Sequence, residues 1–111
     1  DDLYTQALRY ITVHHHERLT MRQLSDALHC SVSTMSHLFQ KNAGMSIRAY
    51  VEKLRLDEAE WLLEQSEFSV TEISDSLGFC SPAYFSTVFK KAYGISPHGW
   101  TRRAHGEPTR E

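Results

Sequence analysis

Cysteine is scarce in this 111-residue chain, which holds two cysteines, three prolines and five glycines. Two cysteines in a chain of this size cannot form a disulfide framework, and they fit a reducing, cytoplasmic setting. No apolar run approaches the roughly 18 residues that a membrane helix requires, which excludes a membrane span. No signal peptide stands at the start of the chain. A basic excess is also missing: 14 acids oppose 12 bases, for a net charge of -2. Taken alone, that balance speaks against a nucleic-acid partner. What is present is ample material for a core, with 41% hydrophobic and 11% aromatic residues. Disorder is excluded on that ground, and the length suits one domain or two very small ones.

The chain repeats itself. Thr20 to Tyr50 recurs as Ser69 to Trp100, offset by 49 residues at the start and 50 at the end. Leu24, Ser25 and Asp26 align with Ile73, Ser74 and Asp75. After a one-residue insertion in the Gly78-Phe79-Cys80 stretch, Phe39 meets Phe89, Lys41 meets Lys91 and Gly44 meets Gly94. Two copies make a duplicated unit, whereas a solenoid needs at least three.

Each copy carries the same helix punctuation. Thr20-x-x-Gln23 and Ser69-x-x-Glu72 are capping boxes, predicting short helices over about 21–28 and 70–77. Ser31 and Ser81 suit the N-caps of second helices, Pro82 suits a first helical position, and Gly44 and Gly94 suit the left-handed residue that ends a helix. Two short helices joined by a turn of about three residues form the helix-turn-helix pattern. An apolar stripe of Tyr4, Ala7, Leu8 and Ile11 predicts an opening helix over 2–16. From Ser46, the positions Ile47, Tyr50, Val51, Leu54, Trp61 and Leu62 predict a long helix between the copies. Ser96-Pro97 opens a last short helix that buries Trp100. The expected fold is all-α, with about seven helices in two helix-turn-helix subdomains: a first unit over 17–45, a linker helix over 46–66, a second unit over 67–103 and a frayed tail over 104–111.

The second helix of a helix-turn-helix places its outward residues near base edges in a major groove. With Met35, Leu38, Phe39, Phe85, Val88 and Phe89 turned inward, the outward residues are Ser33, Ser36 and His37 in the first copy and Ala83, Tyr84 and Thr87 in the second. These are the candidate base contacts. Gln40, Lys41, Arg48, Lys90, Lys91 and Arg102 lie further along, at the height of flanking phosphates. Any one such helix reads equally well as a solvated surface, and the matched duplication is what favours a binding face.

Other chemistries lack support. The run His14-His15-His16 invites a metal, but consecutive helical residues point to different sides, and no C-x-x-C or H-E-x-x-H spacing occurs. Cys30 suits a small plug between helices, while Cys80 falls at the insertion and should be more exposed. No nucleophile elbow is present. Glu58, Glu60, Glu64 and Glu67 crowd one helix and read as its solvated face. No cofactor, metal or enzymatic activity is expected.

The second copy, Ile73-Ser-Asp-Ser-Leu-Gly-Phe79 followed by Ser81, Tyr84-Phe85, Phe89-Lys90-Lys91, Gly94 and Ser96-Pro97, resembles the signature of the AraC/XylS family of bacterial transcription regulators. Tyr50, Arg55-Leu56, Ala59 and Leu62-Leu63 are similar to its linker helix. The resemblance spans about residues 3–103. It implies sequence-specific binding of double-stranded DNA by two recognition helices in successive major-groove segments, with RNA polymerase as a protein partner. A single chain should suffice, because the duplication supplies two readers. Family members often carry Arg two residues before the Phe of each recognition helix, where this chain has His37 and Thr87. Because Pro82 and Ala83 are also apolar, the second unit is expected to contribute phosphate contacts and shape readout, leaving base specificity to the first. The alternative is a helical protein-interaction module whose acidic linker face meets a basic partner.

Charge along the chain answers the objection raised by its total. From Ala27 to Val51 there is no acid, and Lys41 and Arg48 give +2. From Ser76 to Gly106 there is again none, and Lys90, Lys91, Arg102 and Arg103 give +4. The remaining residues hold 14 acids and 6 bases, or -8, which recovers -2. Phosphates respond to local sign, so an acidic total does not exclude DNA.

Overall fold

A computed structural model describes residues 2–106. The described residues form seven helices: α1 (Leu3–His14), α2 (Met21–Ala27), α3 (Val32–Ala43), α4 (Ile47–Gln65), α5 (Val70–Ser76), α6 (Pro82–Tyr93) and α7 (Pro97–Ala104). Side chains placed where the sequence predicts them begin most of these helices. The Thr20 and Ser69 hydroxyls each accept an amide three residues on, while Gln23 and Glu72 reach back to the cap amide at 2.8 Å. Ser31, Ser46, Ser81 and Ser96 cap α3, α4, α6 and α7 in the same manner. Asp2, which the sequence reading did not single out, caps α1 through Thr5. Gly44 and Gly94 end α3 and α6 with φ of 70° and 86°. Of the expected tail, residues 107–111 lie outside the described residues.

The turns inside the two helix-turn-helix units share one hydrogen-bond pattern. In the first unit the His29 amide donates to the Asp26 carbonyl and the Cys30 amide to the Ser25 carbonyl. In the second unit Gly78 and Phe79 donate to Asp75 and Ser74. Both are Schellman motifs, which need a left-handed residue after the C-cap. Gly78 supplies it at φ 86°, and His29 is forced to the same region at φ 55°. Phe79 therefore takes the place of Cys30, and the inserted residue is Cys80, which is exposed as expected.

The chain divides into two compact units, with the boundary between Leu54 and Arg55, inside α4. In the first unit Ala7, Ile11, Leu24, Met35, Phe39, Ile47 and Val51 form one buried cluster. Phe39 lies at its centre, with the Tyr4 and Tyr50 rings edge-on at 5.2 and 5.7 Å. In the second, Leu56, Ala59 and Leu63 of α4 close over Val70, Ile73, Leu77, Phe79, Phe85 and Phe89. Emptying one such Phe position to Ala costs about 3–5 kcal/mol, comparable with the whole stability of a small unit.

Three sequence expectations need correction. Apolar spacing puts Trp61 on the buried stripe of α4, yet it is 61% exposed. In the half of α4 that belongs to the second unit the buried residues are Leu56, Ala59 and Leu63, and Trp61 falls two residues from Ala59, about 200° around the helix. Its neighbours assign Glu64 to a solvated row, but its carboxylate accepts the Trp100 Nε1–H at 3.1 Å. His15 and His16 were separated by helical geometry, but α1 ends at His14, and the two rings meet at 4.1 Å just beyond it. Trp100 is partly buried, as expected, and the Arg103 guanidinium stacks 5.0 Å from its ring.

Candidate nucleic-acid interface

In each unit the shorter helix and the turn set the direction of the second helix, and the core then fixes which of its sides looks outward. Met35 and Phe39 of α3 are fully buried, as are Phe85 and Phe89 of α6. Leu38 and Val88 are partly buried against the same cores. The opposite side of α3 then presents Ser33, Ser36 and His37, all exposed, with Gln40 and Lys41 a turn further on, also exposed. On α6 the outward residues are Ala83 and Thr87, followed by Lys90 and Lys91. Arg48 on the first turn of α4 and Arg102 on α7 are exposed too.

Tyr84 differs from the other candidates for base contact. It is half-buried, with its ring 6.4 Å from that of Phe79. Thr87 is exposed, but its Oγ1 donates to the Ala83 carbonyl at 3.0 Å. Sequence reasoning also passed over Val32, the first residue of α3, which is 43% exposed. Pro82 stands at the equivalent position of α6 and is likewise exposed.

Electrostatically the faces are of one sign. No acid lies in the first turn of α3, α6 or α7, and their last turns carry Lys41, Lys90 with Lys91, and Arg102 with Arg103. Cations at a helix C-terminus are favoured by the helix dipole, so these positions are electrostatically stable as well as exposed. Behind the second face, Tyr93 ties α6 to α4, donating its hydroxyl proton to the Leu56 carbonyl at 3.3 Å. Burial, with Glu60 and Asp57 nearby, pushes the Tyr93 hydroxyl up to about 12. No described helix is long and apolar enough to cross a membrane.

Two closed cores, each carrying a recognition-type helix with an acid-free outer face, define the class of duplicated helix-turn-helix domains. A family model described as a helix-turn-helix domain matches residues 24–103. The regulatory protein PocR of Salmonella typhimurium is 31% identical over 103 residues, covering 93% of this chain and 34% of PocR. The xylose operon regulatory protein of Escherichia coli is 35% identical over 97 residues, covering 87% of this chain and 25% of that protein. Among solved structures, the C-terminal domain of AraT, a response regulator from Geobacillus stearothermophilus, superposes with a TM-score of 0.88. It shares 31% identity, covering 93% of this chain and 86% of that one. The chain belongs to the AraC-type helix-turn-helix family and is a sequence-specific DNA-binding domain of the kind found in transcription regulators. It spans about a third or less of the length of these two curated relatives.

The DNA-binding domain of AdpA, solved in complex with a target DNA, has the same fold, with a TM-score of 0.89 at 24% identity. That match covers 96% of each chain.

Proposed function

We propose that this domain regulates transcription by placing α3 and α6 each in a major-groove segment of double-stranded DNA, without catalysis of its own. Ser33, Ser36 and His37 read base edges from α3, and Ala83 and Thr87 face the bases from α6. Lys41, Arg48, Lys90, Lys91 and Arg102 take phosphates, and Gln40 adds a neutral contact. The observation that carries this reading is the exposed, acid-free outer side of both second helices over fully buried Phe39 and Phe89. The AdpA domain, seen with its target DNA on the same fold, supports it. One chain reads an asymmetric site, because the duplication supplies both readers. RNA polymerase, as the family implies, is the protein partner, and the cytoplasm is the setting.

The test is a salt titration on duplexes selected from a random pool. Each phosphate neutralised contributes about -0.9 to the slope of log K against log salt, so the five cations set a slope as steep as about -4.5. A slope near zero on a selected duplex overturns the proposal. A second reading, a protein-interaction module, draws on Trp61 and Phe68, which are 61% and 60% exposed, and on the acids of α4. It predicts that the pool yields no bound duplex even at low salt.

A further inference from the structure

Ahead of Lys90, the exposed side of α6 lacks the charged and amide groups that normally read hydrogen-bonding edges. Pro82, Ala83 and Thr87 are exposed there, and none of them carries a charge or an amide. Thr87 is the one polar residue of these three, and its hydroxyl proton is engaged: Oγ1 donates to the Ala83 carbonyl at 3.0 Å. It has no proton left to donate to a base acceptor; its oxygen can only accept, and its γ-methyl supplies an apolar surface beside it. Ala83 and Thr87 are four residues apart, so their side chains lie one above the other on the helix. Tyr84, between them in sequence, is drawn aside against Phe79. The result is a pair of methyl groups at the N-terminal half of the helix, where recognition helices approach bases. The corresponding side of α3 stays polar, with Ser33, Ser36 and His37.

The major groove has one apolar feature, the C5-methyl of thymine. We propose that α6 reads thymine, its Ala83 and Thr87 methyl groups closing over C5-methyl groups in the second unit's half-site. That unit then discriminates bases by methyl contact, beyond the phosphate and shape contributions expected from its sequence. This inference rests on the DNA-binding reading above.

The experiment starts from duplexes that the protein selects from a random pool. Each thymine of the bound site is replaced in turn by deoxyuridine, which removes only the C5-methyl. Affinities are then compared for the wild type, Thr87→Ser, which removes the γ-methyl and keeps the hydroxyl bond to Ala83, and Thr87→Val, which keeps a methyl. Burying one methyl corresponds to about a fourfold change in binding. At one thymine, deoxyuridine should weaken the wild type about fourfold. Thr87→Ser should bind the thymine duplex about fourfold less tightly and become indifferent to deoxyuridine there, and Thr87→Val should keep the wild-type sensitivity. Wild-type indifference to deoxyuridine at every position overturns the proposal, as does a Thr87→Ser variant with the wild-type response. A pool that yields no bound duplex overturns the DNA-binding reading itself, a different result from a bound duplex that ignores the methyl groups.

Discussion

Ser25 and Ser74 occupy the same place in the two units, and both are closed off from solvent, at 2% and 1% exposure. Neither hydroxyl has a hydrogen-bond partner among the described residues. A buried hydroxyl without a partner costs about 1–3 kcal/mol of desolvation. Ser→Ala removes that cost and leaves a void of roughly 10 Å³, which returns only about 0.2–0.3 kcal/mol. Alanine is also the better helix former by roughly 0.5 kcal/mol. Ser25→Ala and Ser74→Ala should therefore each stabilise their own unit by about 1–3 kcal/mol. In urea the midpoint should rise at constant slope, and thermal melts should shift upward by roughly 5 °C or more. Both tryptophans of the chain, Trp61 and Trp100, lie in the second unit. Tryptophan fluorescence consequently follows Ser74→Ala, while circular dichroism registers either variant. A loss of more than about 0.5 kcal/mol in either variant would refute the reasoning, because it would mean that the hydroxyl is satisfied in the folded core.

Other perturbations probe the turns, the caps and the binding face. His29 holds a left-handed conformation that costs a side-chain-bearing residue about 1–2 kcal/mol, and glycine's freedom in the unfolded chain offsets about 0.5–1 of that. Urea melts should find His29→Gly neutral to stabilising by up to about 1 kcal/mol and Gly78→Ala destabilising by about 1 kcal/mol. Glu72 accepts the Ser69 amide, and that bond holds its carboxyl below the usual glutamate range. A depressed folded value stabilises above the unfolded pKa, and the contribution fades as pH falls through the folded one. Glu72→Gln, which copies Gln23 of the first unit, should remove this component from an acid titration of tryptophan fluorescence; an unchanged acid profile would contradict it. Lys90→Ala should weaken binding to all duplexes alike and reduce the salt slope by about 0.9, whereas His37→Ala should alter the preference among them. Uniform loss in both variants would contradict the division between phosphate and base contacts.

What could be read from the sequence were the features set by neighbours along the chain. Caps at Thr20, Ser31, Ser69, Ser81 and Ser96, and glycine ends at Gly44 and Gly94, depend on residues within four positions, and all stand where the spacing puts them. Duplication doubled the signal, since each cap had a counterpart about 50 residues away. The misplaced residues depend on partners distant in sequence. Trp61 is apolar by type, but the buried side of α4 in the second unit is drawn by Leu56, Ala59 and Leu63. Glu64 finds the Trp100 indole 36 residues away, a pairing no local pattern encodes. On the candidate interface, helical spacing identified the outward residues of α3. It could not reveal that Tyr84 leans on Phe79 or that the Thr87 hydroxyl turns back to Ala83.

The net charge of -2 stops being an obstacle once the charges are assigned to helix ends. Among the described residues, α3, α6 and α7 contain no acid and finish in lysine or arginine. Glu72, by contrast, sits in the first turn of α5, and the second half of α4 collects Asp57, Glu58, Glu60 and Glu64. The helix dipole favours Glu72 at the amide end of α5 and the cations at the carbonyl ends of α3, α6 and α7, whereas the acids of α4 lie toward its carbonyl end and gain nothing from it. Lys41, Lys90 and Lys91 thus stabilise the helices that carry them, and in the proposed interface they also meet phosphate, so replacing one should weaken the helix end by about a few tenths of a kcal/mol and also weaken DNA binding. Neutralising the α4 acids acts differently. It should add long-range attraction that every duplex shares, raising non-specific and specific affinity together and leaving their ratio, which the proposal assigns to α3 and α6, unchanged.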